Sequence, residues 1–330
     1  MAEVILNGVS KAFGQTQALK NVSMTIPDGA FVVLLGPTGA GKTTTLRQIA
    51  GLDHPDQGDI RIGGESVLAM TPAQRAIAMV FQQYSLYPHL TVRDNLAFPL
   101  RSPVLNRPAA EIAKRVAEVA EVLRISHKLD NKATQLSGGE MQRVSIGRAL
   151  IRSPRIYLMD EPLSSLDAKL RADLRIELKR IHADLGATFL YVTHDQIEAM
   201  TMATHVGVLD RGALVQFGTP REIYENPVST YVASRLGQPR INLLPADAFG
   251  PAPAGAAQIG LRPEHIHIGE GQEATIRRVE HLGDQTRLHL HLGPHEIITL
   301  ADTETRLAPG DTIAIRPQSA LWFDASGNRI

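Results

Sequence analysis

Short apolar runs alternate with stretches of helical spacing along the first two thirds of the chain. The runs have the length of buried strands and include Phe31–Leu35, Ile77–Phe81, Ile156–Met159 and Thr188–Thr193. Between them, apolar residues recur every three or four positions in Ile112–Leu123 and Leu170–Leu185, as on one face of a helix. This pattern predicts an α/β domain with a sheet of buried parallel strands.

The pattern changes after residues 237–239. Short segments of alternating apolar and polar residues follow, at His265–Ile268, Ala274–Leu282, Arg287–Leu292, Ile297–Leu300 and Thr312–Arg316. Regular short strands separated by turn residues are typical of a small β-barrel. We therefore expect an α/β domain at residues 1–236, with a helical subdomain at about 88–152, and a small all-β domain at residues 237–330.

Composition excludes several classes of function. Among 330 residues, 34 Lys plus Arg balance 34 Asp plus Glu, whereas nucleic-acid-binding proteins usually have a basic excess. The chain has no cysteine, which excludes disulfides, thiol catalysis and cysteine-ligated zinc. No apolar run approaches the roughly 18 residues of a spanning helix, and the N-terminus lacks the order of a signal peptide. We therefore expect a soluble, cytosolic chain.

A glycine-rich loop lies between the first predicted buried strand and a predicted helix. Residues 36–44 read GPTGAGKTT and match G-x-x-x-x-G-K-[ST], the phosphate-binding P-loop. Glycine lets the backbone wrap closely around a polyphosphate, so that N–H groups and the helix N-terminus face it. Lys42 adds a positive charge at the terminal phosphates, and the Thr43 hydroxyl is suited to bind Mg²⁺. The loop predicts a nucleotide site.

Polar residues follow the other three buried strands, at Gln82, at the pair Asp160 and Glu161, and at His194. Carboxyl ends of parallel strands form the edge where open α/β sheets bind ligands. Four apolar residues before adjacent carboxylates are typical of a Walker B motif, in which Asp160 holds Mg²⁺ and Glu161 reaches the attacking water. A single histidine at a strand end is more often structural, but this shared edge favours a functional role for His194.

A second glycine pair precedes another helix. Ser137, Gly138 and Gly139 lead into a predicted helix that continues through Leu150. Serine before a helix satisfies its first N–H groups, and the helix N-terminus can face a phosphate. Two such phosphate-facing segments are unexpected in a chain that binds one nucleotide.

Three features each keep two interpretations. Phe13 either packs between two strands or provides a face on which adenine stacks. Tyr84–Leu90 is either a loop packed on the core or a docking site for a partner. His289 and His291 alternate with leucines and could share a metal, but solvent-facing positions on a half-buried strand are favoured.

Together these motifs resemble those of the ATP-binding subunits of ABC transporters, over essentially the whole chain. The stretch Leu136–Glu140, which reads LSGGE, is the most specific part of the resemblance. The resemblance implies that Phe13 stacks on adenine, Gln82 senses Mg²⁺ and the attacking water, and Asp167 is the D-loop aspartate. It also makes Glu161 the catalytic base.

The resemblance implies a complete site for ATP and Mg²⁺. The implied catalytic residues are Lys42, Gln82, Glu161 and His194. The implied metal-binding residues are Thr43, Gln82 and Asp160. The implied nucleotide-binding residues are Phe13, Gly36, Pro37, Thr38, Gly39, Ala40, Gly41, Lys42, Thr43, Thr44, Ser137, Gly138, Gly139, Glu140 and Asp167.

The resemblance also explains the second glycine pair. In this family two subunits pack head to tail, so Ser137–Gly139 of one copy closes on the ATP held by Gly36–Thr44 of the other. The segment Gln82–Leu90 is where a coupling helix of a membrane subunit docks. The implied partners are a second copy, two integral-membrane permease subunits and, indirectly, a solute-binding protein, but no nucleic acid. The implied location is the cytoplasmic face of the inner membrane.

Four stretches resemble the ATPases of maltose and glycerol-phosphate importers, at Tyr84–Val92, Asp167–Arg171, Thr193–Gln196 and Asn242–Pro245. Gly260–Glu264 resembles the opening of that group's C-terminal OB-like regulatory domain, of the TOBE type. This implies an ATPase that energises uptake of sugars, polyols or glycerol phosphate. Polyamine and iron importers stay as alternatives, because their ATPases share this architecture.

The chain departs from the family pattern at Glu140, Ala40 and Phe13, where Gln, Ser and an aromatic Tyr or Trp are more usual. None of these changes removes a phosphate or metal ligand, so we expect activity. A soluble ABC ATPase acting on nucleic acid or ribosomes is disfavoured by the single cassette. A GTPase or kinase is disfavoured because residues 131–134 read NKAT and not N-K-x-D. A non-catalytic module is disfavoured because every catalytic position is filled.

Overall fold

The computed structural model describes residues 2–102 and 107–330. The chain forms two compact units, Met1–Pro220 and Arg221–Ile330. Part of the predicted helical subdomain, residues 103–106, lies outside the described residues. In the described part of the chain, no helix is both long and apolar enough to span a bilayer.

The first unit alternates strands and helices, as the apolar pattern predicts. Its strands are β1 (Val4–Phe13), β2 (Thr16–Ile26), β3 (Phe31–Leu35), β4 (Gln57–Ile62), β5 (Glu65–Ser66), β6 (Ile77–Val80), β7 (Ile156–Asp160), β8 (Thr188–Thr193), β9 (His205–Asp210) and β10 (Ala213–Gly218). Its helices are α1 (Lys42–Ala50), α2 (Val92–Ala97), α3 (Ala109–Val122), α4 (Gly138–Leu150), α5 (Ala168–Leu185) and α6 (Gln196–Met202).

The central sheet has the strand order β10-β9-β3-β8-β7-β6. Neighbours from β9 to β6 are parallel, and β10 is antiparallel to β9. Every residue of β3, β7 and β8 is buried, which explains why these strands are apolar runs without alternation. Because the strands are parallel, β3, β6, β7 and β8 end at one edge of the sheet. A second sheet, β2-β1-β4-β5, is antiparallel.

The two predicted helical stripes form α3 and α5. The four apolar positions of Ile112–Leu123 are buried, as predicted. In α5, Leu174 and Ile181 are buried, whereas Leu185 at the helix end is 39% exposed. The strand predicted at Ile77–Phe81 ends at Val80. Phe81, the last residue of the predicted strand, lies outside it and is 40% exposed.

The second unit is built of antiparallel strands after two short helices, α7 (Pro220–Glu225), which begins at the division between the units, and α8 (Thr230–Ala233). Its strands are β11 (Asn242–Pro245), β12 (Gln258–Leu261), β13 (Ile266–His281), β14 (Thr286–Leu292), β15 (His295–Ala301), β16 (Thr312–Pro317) and β17 (Leu321–Phe323). They form the sheets β11-β12-β17 and β15-β14-β13-β16. This all-β unit is consistent with the predicted OB-like class.

The sequence interpretation of this unit needs two corrections. The segments predicted as His265–Ile268 and Ala274–Leu282 belong to one strand, β13, because glycines let the backbone bulge without leaving the ladder. At Gly271, with φ 112°, an added Cβ would lie 2.3 Å from the Ile315 carbonyl oxygen. Three short strands, β11, β12 and β17, were not predicted.

The strand β14 alternates as predicted. Leu288, Leu290 and Leu292 are buried in the core of this unit. His289 and His291 point away from that core and lie near carboxylates, at 3.4 Å from Glu280 and 3.5 Å from Glu296 respectively.

The predicted domain boundary between residues 236 and 237 stays a prediction. The two compact units divide earlier, at Pro220, because residues 221–236 are bonded to the C-terminal unit. The guanidinium of Arg262, which is 2% exposed, donates to the carbonyl oxygens of three residues in that segment, Tyr224, Ala233 and Leu236.

Candidate functional site

The glycine-rich loop connects β3 to α1 at the carboxyl edge of the central sheet. Its backbone needs glycine at two crowded positions. A Cβ at Gly36 would lie 2.7 Å from the Leu209 carbonyl oxygen. A Cβ at Gly41, where φ is 102°, would lie 2.7 Å from the Ala18 carbonyl oxygen. The neighbouring chain therefore fixes the shape of the loop.

The loop has an exposed and a buried face. Thr38, Gly39 and Thr43 are exposed, Pro37 and Thr44 are partly exposed, and Ala40 and Lys42 are buried. The Lys42 ammonium donates to the carbonyl oxygens of Gly36, at 2.9 Å, and Pro37, at 3.1 Å. These bonds hold a positive charge within the turn.

Glu161 connects this lysine to the histidine of the neighbouring strand end. Its Oε1 lies 3.3 Å from Lys42 Nζ, and its Oε2 lies 3.1 Å from His194 Nδ1. Its backbone is left-handed, with φ 43°, and its carbonyl oxygen accepts a 2.9 Å bond from the Ser164 hydroxyl. Its amide donates to the Val192 carbonyl oxygen, so main-chain bonds fix the direction of the carboxylate.

The hydroxyl of Thr43 donates to Asp160 Oδ1 at 2.9 Å. Asp160 is 6% exposed, and burial raises the pKa of its carboxyl, partly opposed by the hydrogen bond from Thr43. A bound divalent cation would offset the cost of burying this charge. Carboxylate and hydroxyl oxygens are ligands that Mg²⁺ accepts, so these two residues fit a magnesium site.

The second glycine pair forms the N-terminus of α4. Ser137 accepts a 3.4 Å bond from the Glu140 amide, and the Glu140 carboxylate accepts a 2.8 Å bond from the Ser137 amide. This reciprocal capping box explains why glutamate is tolerated in place of glutamine. Gly138 is partly exposed. Gly139 is buried, and a Cβ there would lie 2.1 Å from Leu170 Cδ2.

Asp167 caps α5, because its carboxylate accepts a 3.0 Å bond from the Leu170 amide. Arg171, one turn further on, donates to the Leu166 carbonyl oxygen at 2.9 Å and lies 3.5 Å from the Asp195 carboxylate. It thus connects the Asp167 loop to the residue after the strand-end histidine. The sequence interpretation included Arg171 only as part of the stretch Asp167–Arg171 and missed its contact with Asp195, since no motif spacing marks it.

Two predicted site residues stand apart from the contacts described above. Gln82 is exposed after β6 and makes no side-chain hydrogen bond to any described residue. Phe13, at the end of β1, is 49% exposed, and Lys11 Nζ lies 5.5 Å from its ring centroid. The open ring favours the stacking interpretation over packing between strands. The functional roles of all these residues stay predictions.

The segment Gln82–Leu90 is held at the rim of a groove of about 270 Å³. Asn95 accepts a 2.9 Å bond from the Tyr87 amide and donates at 3.1 Å to the Tyr87 carbonyl oxygen. The Tyr87 ring packs 4.4 Å from the Phe98 ring, and the guanidinium of Arg148 lies 4.7 Å from its centroid. Phe98 and Arg148 also line the groove.

The buried lysine within a glycine turn and the carboxylates at the end of β7, on the same edge of the central sheet, define a P-loop nucleoside triphosphatase. Residues 19–164 match the family model for the ABC transporter, and residues 259–323 match the TOBE domain. Because relatives more than 40% identical also match the whole chain, it belongs to the ATP-binding proteins of ABC transporters, which are ATPases.

Similar proteins match along their whole length. The sn-glycerol-3-phosphate import ATP-binding protein UgpC of Ruegeria sp. (strain TM1040) is 42% identical, over 100% of this chain and 99% of the relative. The lactose transport ATP-binding protein LacK of Rhizobium radiobacter is 41% identical over 100% of both chains.

Among solved structures, a dimeric bacterial ABC transporter cassette matches with a TM-score of 0.60 and 32% identity. It covers 66% of this chain and 99% of its own length. The same coverage and TM-score hold for a dimeric post-hydrolysis cassette bound to ADP and phosphate, at 33% identity. The predicted family and fold class are therefore confirmed.

Proposed function

We propose that this chain hydrolyses Mg²⁺-ATP to energise an importer of sugars, polyols or glycerol phosphate. The observation that carries the hydrolytic part is the Glu161 carboxylate held between Lys42 and His194. The importer class is supported by relatives that match across both units of the chain and that are import or transport ATP-binding proteins.

The catalytic groups divide the chemistry of water attack on the γ-phosphate. Among Lys42, Glu161 and His194, only Glu161 has a carboxylate. In this proposal its carboxylate orients the water and takes its proton. Lys42 supplies positive charge where phosphate oxygens become more negative. His194 is 59% exposed in its side chain and reaches Glu161 through Nδ1, so it can contact the same phosphate from the open side.

Mg²⁺, when bound by Thr43 and Asp160, supplies positive charge that neutralises the phosphates. Gln82 joins this set in our proposal, because it follows the neighbouring strand at the same edge of the sheet. Phe13 stacks on the adenine ring.

Two copies of the chain form the hydrolytic unit in this proposal. Ser137 is exposed at the N-terminus of a 13-residue helix, where N–H groups and the helix dipole attract phosphate. A head-to-tail pair brings this end to the nucleotide held by Gly36–Thr44 of the other copy. The dimeric cassettes that resemble this chain support the arrangement.

The groove beside Gln82–Leu90 is the proposed docking site for a permease helix. Its lining includes the exposed or partly exposed rings of Phe81, Tyr87 and Phe98, next to Arg148. Aromatic residues with an arginine are typical of residues that carry binding energy at interfaces. Two permease subunits would hold the pair at the cytoplasmic face of the membrane.

Replacing Glu161 by Gln tests the hydrolytic part. The amide keeps the shape of the side chain but cannot take a proton, so we expect hydrolysis to fall by roughly 10²–10⁴-fold. ATP binding should persist, and gel filtration with Mg²⁺-ATP should show a stable dimer. The control Glu111→Gln removes an exposed carboxylate that pairs with Arg107, and should hydrolyse ATP normally. Near-normal hydrolysis by Glu161→Gln would contradict the proposal.

Uptake by cells that lack the gene tests the importer class. Labelled glycerol 3-phosphate, lactose, putrescine and ferric iron are supplied separately. We expect loss of uptake of glycerol 3-phosphate or of a sugar. Loss confined to putrescine or iron would replace the proposed cargo but leave the ATPase assignment standing.

A further inference from the structure

The docking segment has one side chain that reaches the loop following the catalytic glutamate. The hydroxyl of Tyr84 lies 3.0 Å from Ser165 Oγ, across 81 residues of sequence. The other anchors of this segment go elsewhere: Arg148 donates to the Ser85 carbonyl oxygen, and Asn95 bonds the Tyr87 backbone. Those anchors fix the segment on α4 and α2.

Next to Ser165, the contacts continue to the backbone of the catalytic glutamate. The adjacent Ser164 donates its hydroxyl to the Glu161 carbonyl oxygen at 2.9 Å, and its amide donates there at 3.2 Å. The Glu161 backbone is left-handed and depends on such bonds to keep its direction. Tyr84 therefore lies one hydrogen bond away from the turn that aims the carboxylate.

The same hydroxyl lies close to the second glycine cradle. A Cβ added to Gly138 would lie 3.2 Å from the Tyr84 hydroxyl oxygen, which is closer than ordinary van der Waals contact. The docking segment and the Ser164–Asp167 loop, which the sequence separates, are thus joined by one hydrogen bond beside the start of α4.

We propose that Tyr84 is a positioning residue for ATP hydrolysis, whose hydroxyl holds Ser165 in place and so couples the docking segment to Glu161. The inference rests on the proposed function, because it assumes that Glu161 is the base. Tyr84 does not touch the nucleotide in this proposal. It acts through Ser165.

A double-mutant cycle in the purified full chain tests the coupling. Tyr84→Phe keeps the ring and removes the hydroxyl, and Ser165→Ala removes its partner. We expect each to lower kcat for ATP hydrolysis about fivefold, which corresponds to one neutral hydrogen bond. The KM for ATP should change less than about twofold, because the P-loop is untouched. The double variant should be no slower than either single variant.

Ser66→Ala is the matched control, because it removes an exposed hydroxyl that donates to Asp59 Oδ1 at 2.6 Å, in β5 and outside the docking segment. It should leave kcat unchanged, and all variants should keep the unfolding midpoint of the wild type. Unchanged kcat in Tyr84→Phe, or a double variant whose losses multiply to about 25-fold, would overturn the inference. If the wild-type chain itself does not hydrolyse ATP, the proposed function fails instead.

Discussion

The two glycine cradles differ in how completely their own chain surrounds them. Around Gly36–Thr44, backbone carbonyls of Leu209 and Ala18 press on the glycines, and Lys42 is 5% exposed. At the second cradle, Ser137 is exposed and Gly138 is partly exposed, whereas Gly139 is buried against Leu170. The first cradle is complete once the single chain has folded. The second cradle is rigid at Gly139 and open to solvent at Ser137, as expected if a second copy of the chain completes it.

Removing a lysine from each cradle gives the largest expected contrast. Lys42→Ala removes a buried charge from the phosphate loop, and we expect hydrolysis to fall by roughly 10²–10³-fold. Lys128→Ala removes the ion pair with Glu140 beside the second cradle, where both side chains are partly exposed and the charge contributes less than a buried one. Hydrolysis should then stay within about threefold of wild type in a steady-state assay. Similar losses of hydrolysis in Lys42→Ala and Lys128→Ala would contradict the difference between the two cradles.

Gly139→Val sharpens the comparison by separating binding from turnover. The new side chain collides with Leu170 and displaces the start of α4, and a misplacement of about 1 Å can cost about 100-fold in rate. ATP binding to the single chain, measured with a fluorescent analogue, should change less than about twofold. Weakened binding equal to the loss of rate would show that one chain uses both cradles on its own nucleotide.

Phe13→Ala tests the rim of the first cradle. Loss of an exposed ring that stacks on a base should weaken ATP binding about five- to tenfold. Phe13→Tyr should restore the affinity. Leu52→Ala, which truncates another exposed apolar side chain, serves as the control in the same calorimetric titration. Equal affinity of Phe13→Ala and wild type would favour a structural role for the ring.

Asp160→Asn tests whether the buried carboxylate that contacts the first cradle destabilises the folded chain. This substitution has the smallest expected effect. Burial raises the pKa of Asp160 above 3.8, so its contribution to stability is present below that value and is lost as pH rises through the folded-state pKa. The asparagine side chain does not ionise, so Asp160→Asn does not lose stability as the pH rises. The unfolding midpoint without nucleotide should therefore exceed that of wild type at pH 8, and the difference should narrow as the pH falls through the folded-state pKa toward 3.8. Asp130→Asn, at an exposed ion pair, should show no such trend.

The sequence predicted what local patterns encode. Buried strands, amphipathic helices, the P-loop and the carboxylate pair are all recognisable within a few residues, and their shared sheet edge follows from parallel strand order. The structure places Lys42, Glu161 and His194 in contact, as that edge requires. It does not bring Gln82 into the same set of bonds.

Contacts between distant segments could not be predicted in this way. Tyr84 with Ser165, and Arg171 with Asp195, join residues whose separation follows no period. In the second unit, the glycines of β13 were interpreted as a turn between two strands. Glycine is typical of both turns and β-bulges, and here it forms a bulge within one strand. The missed strands β11, β12 and β17 are only three or four residues long.

The left-handed backbone at Glu161 has a consequence for evolution in the laboratory. For residues other than glycine this conformation costs roughly 1–2 kcal/mol, so Glu161→Gly relieves a local penalty while it deletes the base. A library of variants selected for heat resistance alone would reward that loss of activity. Selection for a sturdy scaffold and selection for turnover therefore oppose each other at this codon, and only a screen that scores both will keep the glutamate.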